Sequence, residues 1–217
     1  MGWLTYDDKD IDRLFTDSVE HRLAQSTLAI RTGRPYCPYL LGNPAMGNAT
    51  GLLTGKLRAI PFKITRSARI LQMGLYLLQG GNLNATKFRF GLYKSNLDSF
   101  LPSELLLQTM DITITTYGAE YVVSGMNVLL EAGLYYLALT TDHADTKKPL
   151  VFRGFSTVSQ DIVLHYDSPS ATAGVSRIEA PLTYSASGLP AQFPATHSLM
   201  SDINYSPEFF TLKIIAK

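Results

Sequence analysis

LRAIPFKITRSARILQMGLYLLQGGNLNATKFRFGLY, residues 57–93, decides the fold. It consists of short alternating or continuous apolar runs, punctuated by Gly, Asn and Pro. That is the pattern of antiparallel β-strands joined by tight turns. In LRAIPFKI (57–64), Pro61 predicts an edge position or a bulge, because proline cannot donate to a ladder. In ARILQMGLYLLQ (68–79), Ile70, Gln72, Gly74 and Tyr76 alternate with Leu71, Met73, Leu75 and Leu77. Both faces are largely apolar, so a central strand is expected. KFRFGLY (87–93) turns Phe88, Phe90 and Leu92 inward, with Lys87, Arg89 and Gly91 facing the other way.

The same rhythm continues downstream. DITITT and YVVSG precede LLEAGLYYLAL (129–139), and PLVFRGF (149–155), DIVLHYD (161–167) and a terminal FFTLKIIAK follow. Phe90 and Leu137 sit on the apolar phase of strong strands and should be buried. Residues 168–207 are dominated by Ser, Ala, Thr, Gly and Pro and read as one long irregular loop. Long loops of this kind often carry function. Upstream, residues 7–24 predict a helix, capped by Asp7 or Asp8. Ile11, Leu14, Phe15, Val19 and Leu23 form its apolar stripe, and Trp3 precedes the cap. The expected fold is an all-β, jelly-roll-like antiparallel β-sandwich preceded by one N-terminal amphipathic helix. Its parts are a helix for attachment or oligomerisation (1–25), an extended connecting segment (26–56), and the sandwich domain (57–217).

Composition narrows the function. The chain has 19 Lys+Arg against 18 Asp+Glu, a net charge of +1. That balance offers no basic stripe for nucleic acid. Only 17% of residues are charged, below the usual quarter or so, which fits a surface partly covered by other subunits. No run approaches the roughly 18 apolar residues of a membrane span. The acidic start, MGWLTYDDKD, reads as no secretory signal. Gly2 follows Met1, but Tyr6 stands where myristoylation needs Ser or Thr.

Chemistry is hard to find. Cys37, the single cysteine, lies between Pro35 and Pro38 beside two tyrosines with no histidine nearby in sequence, and reads as passive;. His21, His143, His165 and His197 form no H-x-H or H-x-x-x-H pair, so no zinc site is expected. Asp142, His143 and Asp145 could hold calcium, but they lack the regular spacing of a dedicated loop and read better as a solvated hairpin. Glu104, Asp111, Glu120, Glu131 and Asp161 are candidate glycosidase carboxylates, yet nothing in the sequence pairs them. There is no G-x-S-x-G and no phosphate loop. No catalytic residue, metal or cofactor is expected. Aromatics near the long loop can stack on sugars or pack on the sheet. Tyr184, Phe193 and His197 are the candidate contact surface.

Five pieces of the chain carry a resemblance. They are Arg58, Ala59, Pro61 and Phe62; Ile70, Met73 and Gly74; and Arg89, Gly91, Leu92 and Tyr93. Then come Pro102 with Leu105, and Leu130, Gly133, Tyr135, Tyr136, Leu137 and Ala138. Over about residues 55–155 this series resembles a β-sandwich domain of tailed-bacteriophage virion structural proteins, including tail-fibre and virion-surface proteins. The resemblance implies a non-enzymatic protein of the virion, assembled in the host cytoplasm. Its expected setting is a short tail fibre or baseplate, as a homo-oligomer (a trimer by analogy), attaching to a host surface glycan. A capsid decoration or cement protein is the alternative, with a polysaccharide depolymerase behind it. Other virion proteins would be met through the N-terminal region.

Overall fold

The computed structural model describes residues 35–36, 46–48, 51–64, 67–155, 177–185, 187–200 and 210–216. Every regular element among them is a β-strand, numbered in chain order, and they form two antiparallel sheets. The helix expected over 7–24, with Trp3 and its apolar stripe, lies outside the described residues.

The first sheet holds β1 (Pro35–Tyr36), β2 (Met46–Asn48), β4 (Ala68–Gln79), β8 (Ala119–Leu130), β10 (Val151–Phe155) and β13 (Phe210–Ala216). β4 is its centre, as the sequence predicts. β8 pairs along one edge of β4, while β13 and β10 share the other. The second sheet runs β12 (Ser198–Met200), β11 (Arg177–Leu182), β3 (Gly55–Ile64), β9 (Gly133–Thr141), β5 (Lys87–Ser95), β6 (Pro102–Gln108). The short β7 (Ile112–Thr113) pairs with the start of β5.

The sheets pack face to face in a sandwich-like arrangement. Phe62, Phe88, Phe90, Leu92 and Leu137 of the second meet Ile70, Met73, Leu75, Leu77 and Phe152 of the first. Phe90 and Leu137 are fully buried, as their strand phase requires. Each such side chain contributes roughly 1.5–3 kcal/mol by leaving water.

Three details refine the sequence reading. Leu71 is an extra residue in β4, so the register against β13 slips between Ile70 and Gln72. This bulge puts Ile70 in the core with Met73, Leu75 and Leu77, not on the opposite face from them;. Pro61 pairs with Tyr136 of β9, but β11 stops pairing at Ala59, so Pro61 occupies a locally unpaired edge among the described residues. Segment 26–56 is more than a connection, since β1 joins β13 and β2 joins β10.

The stretch 168–207 is the largest departure. It contains two strands, β11 and β12, and β11 lines up beside β3. The rest of its described part, 183–185 and 187–197, forms a strap across the outer face of the second sheet. Leu189 and Phe193 pack there with Tyr93, Tyr136, Ala59 and Ile178 in a second core. The strap also runs beside β6, where Leu105 N–H donates to Ala191 and Phe193 N–H to Ser103. Gly91 is small for this reason: a Cβ there would come within 2.6 Å of the Leu107 carbonyl and 2.7 Å of Leu189.

Candidate functional site

The loops at one end of the sandwich shape an open cleft of about 420 Å³. Its floor is the last rung of the β4–β10 ladder, Gln79 opposite Val151. Gly80, Gly81 and Pro149 form one rim. Tyr117, from the turn before β8, forms the other, and Lys147 and Lys148 project from the turn before β10.

Each wall is braced. The Tyr121 hydroxyl accepts the N–H groups of Thr115 (2.9 Å) and Thr116 (3.0 Å) and donates to the Thr116 carbonyl. That fixes the turn carrying Tyr117, whose own hydroxyl donates to the Gly81 carbonyl at 2.8 Å. Gly81 N–H donates to Lys148 at 2.9 Å. Gly80 has φ +101°, and a Cβ there would lie 1.8 Å from the Pro149 carbonyl oxygen, so only glycine fits;. The lysine turn is held from within by His143, which is buried. Its Nε2 donates to the Lys148 carbonyl at 2.7 Å, and the Thr86 hydroxyl lies 3.3 Å from Nδ1. The same hydroxyl accepts Asn82 N–H at 2.7 Å, which ties the imidazole to the turn after β4.

These contacts explain the Asp142–His143–Asp145 cluster. It is not a solvated hairpin throughout, since His143 is interior. Nor do its carboxylates converge: Asp142 accepts Lys87 N–H and Asp145 accepts Lys147 N–H. No group of three or more potential metal ligands occurs among the described residues.

The expected contact residues lie elsewhere, on the strap. Phe193 is buried, edge-on to Tyr93 at 5.4 Å, and His197 stands beside it at 6.3 Å. Phe193 is therefore a packing residue, because its ring closes the second core. Tyr184 donates to Asp111 at 2.6 Å, and Arg89 lies over its ring at 5.4 Å while also binding Asp111. Burial first, then the bond to Asp111, pushes the Tyr184 phenol well above its ordinary value. This trio pins the strap to the second sheet. Tyr184→Phe should cost about 1 kcal/mol, the size of one hydrogen bond to a charged acceptor at a partly exposed site. A small drop in urea midpoint would show it; an unchanged midpoint would mean that the Tyr184–Asp111 bond does not help to hold the strap.

The candidate carboxylates do not assemble into a pair. Asp111 is engaged by Arg89 and Tyr184, Glu131 accepts the Ser67 hydroxyl at the β8–β9 turn, and Glu104 pairs through its backbone with Gln192 of the strap. Glu120 stands opposite Tyr76 on the first sheet. Asp161 and Cys37 lie outside the described residues. No helix among the described residues is long and apolar enough to cross a membrane. No known protein family's pattern matches the chain, and a search of curated proteins finds no relative.

Proposed function

We propose that this chain is a non-enzymatic structural protein of a tailed-bacteriophage virion. In this reading it is a short tail-fibre or baseplate-associated component, and its jelly-roll-like sandwich is turned toward the host surface. The observation that carries the reading is an all-β body whose braced end loops frame an open cleft. A rigid scaffold presenting a concave loop end suits recognition. The setting comes from the resemblance alone; its residues fall on strands, Arg58–Phe62 on β3, Gly91–Tyr93 on β5 and Gly133–Ala138 on β9, which agrees with the fold it implies. Recognition needs no chemistry from the protein, and the described candidate carboxylates stand at separate places.

Residues 1–25 would dock the protein on its neighbours in the particle. Deleting them should leave a soluble β protein that no longer joins its partner; failure of the truncated chain to fold would make the helix part of the body. Location decides the main claim. An antibody against the sandwich should label the tail tip or baseplate of intact virions. Label spread over the shell would assign the protein to capsid decoration, and particles without label would remove it from the virion.

A further inference from the structure

We infer that the end cleft binds an acidic saccharide, with a sugar ring against Tyr117 and its carboxylate between Lys147 and Lys148. The inference deepens the attachment reading and rests on it for the source of the glycan; the chemistry rests on the cleft.

Three features point to this class of ligand. Tyr117 is 40% exposed although its hydroxyl is tied to Gly81. Its ring is thus fixed in orientation while part of its surface stays open. A sugar ring carries an apolar C–H face that matches such a surface, and an aromatic with a polar tip serves both faces and hydroxyls. Gln79 supplies an amide that can both donate and accept, as ring hydroxyls require. Among the described residues neither that amide nor the two ammonium groups makes a side-chain hydrogen bond or ion pair. Each is available to a ligand.

The charge selects an acid. Lys147 and Lys148 are adjacent in sequence, and both line the cleft. The neighbouring acid, Asp145, turns its carboxylate to the Lys147 backbone N–H. Further along the same face Arg153 lies over the Tyr76 ring at 4.2 Å, and Glu120 opposes Tyr76 in the ladder. The three cations Lys147, Lys148 and Arg153 therefore outnumber the two acids Asp145 and Glu120 along this strip. A polyanion such as nucleic acid would want a far longer basic track than this one. The volume, about 420 Å³, falls in the range of small-ligand sites. Bracing by His143, Tyr121 and Gly80 means that little backbone ordering is left to lose on binding, which favours affinity.

The test uses the purified full chain and three probes. They are a tetrasaccharide of alternating glucuronate and N-acetylglucosamine, the same molecule with its carboxylates reduced to alcohols, and inorganic phosphate. Calorimetry and amide shifts at Gly80 and Gly81 report binding. The acidic tetrasaccharide should bind, and its affinity should fall as salt rises, since exposed charges are screened. The reduced form should bind more weakly. Lys147→Gln and Lys148→Gln should each weaken the acidic form by about two- to fivefold and leave the reduced form unaffected. Tyr117→Ala should weaken both forms, whereas Tyr117→Phe, which keeps the ring, should retain binding and so separate stacking from any loosening of the turn. No binding of the acidic form, equal binding of the reduced form, or phosphate binding as tightly would each overturn the proposal. Such a failure would leave the virion-labelling result standing, and a virion without label would leave a measured cleft affinity standing.

Discussion

Replacing Phe88 with alanine should remove about 3–5 kcal/mol of stability, the usual cost of emptying a buried phenylalanine site. Phe88 is fully buried, and its ring reaches across the sandwich. It meets Tyr121 of β8 edge-on at 5.5 Å and Phe152 of β10 at 5.4 Å, and it stacks near Phe90 of its own strand at 6.4 Å. Truncation therefore loosens both sheets at once, leaving a void that close-packed strands fill poorly. Against a typical stability of about 5–15 kcal/mol this is a large fraction. For a chain of this size the melting temperature should fall by roughly 6–20 °C. Phe88→Leu should lose less. An alanine variant with wild-type urea and thermal midpoints would show that the two sheets are not held together at this ring.

Glu179→Gln should cost a similar amount, about 3–5 kcal/mol, for an electrostatic reason. The Glu179 carboxylate is buried on β11 and receives Arg58 Nε at 2.9 Å and Lys56 Nζ at 2.8 Å. Arg177 Nε lies 3.5 Å away. Removing this negative charge takes a close counter-charge from buried guanidinium groups, the costly way to break a buried pair. The pH dependence follows. Burial alone would raise the pKa of Glu179, but Arg58, then Lys56 and Arg177, outweigh it and hold the carboxyl below its ordinary value. A carboxyl depressed in the folded state stabilises fully above its unfolded pKa of about 4.3. That contribution disappears as pH falls through the lower folded value. The wild type should therefore lose stability below about pH 4.3, and the Gln variant should lose less over the same range. Urea midpoints from pH 7 to pH 3 check both; parallel curves would mean that Glu179 does not report the acid sensitivity.

The strong strands were legible because their burial is one-sided and local. Phe88, Phe90 and Leu92 alternate cleanly, and Leu137 follows a turn glycine. β11 was hidden by its own chemistry. Its inward-facing Arg177 and Glu179 are buried as an ion cluster with Arg58, so a core-facing phase looked like a solvent-facing one. Its Pro181 further disguised it. The Leu71 bulge was invisible because both phases of β4 are apolar. Phe193 read as an adaptable contact residue since its partner, Tyr93, lies far away in sequence. The cleft shares that difficulty. Gln79, Tyr117 and Lys148 carry no mutual spacing; the Gln79–Val151 pairing and the bonds of Gly81 to Tyr117 and Lys148 unite them. The Gly80–Gly81 pair was the one local hint of a tight crossing.

The strap has a further consequence when the chain is considered in time. Tyr93 and Tyr136 leave the ribosome well before Phe193 and Leu189, which later cover them. At about 5–20 residues per second, Tyr93 waits roughly 5–20 s for its lid. β4 waits longer still for β13, the last described strand. During that interval a nascent chain displays an apolar sheet face and an open ladder edge together, a combination that invites pairing with its neighbours on the polysome. Host cells producing many copies at once should thus yield more intact protein when cooled or when supplied with extra chaperone.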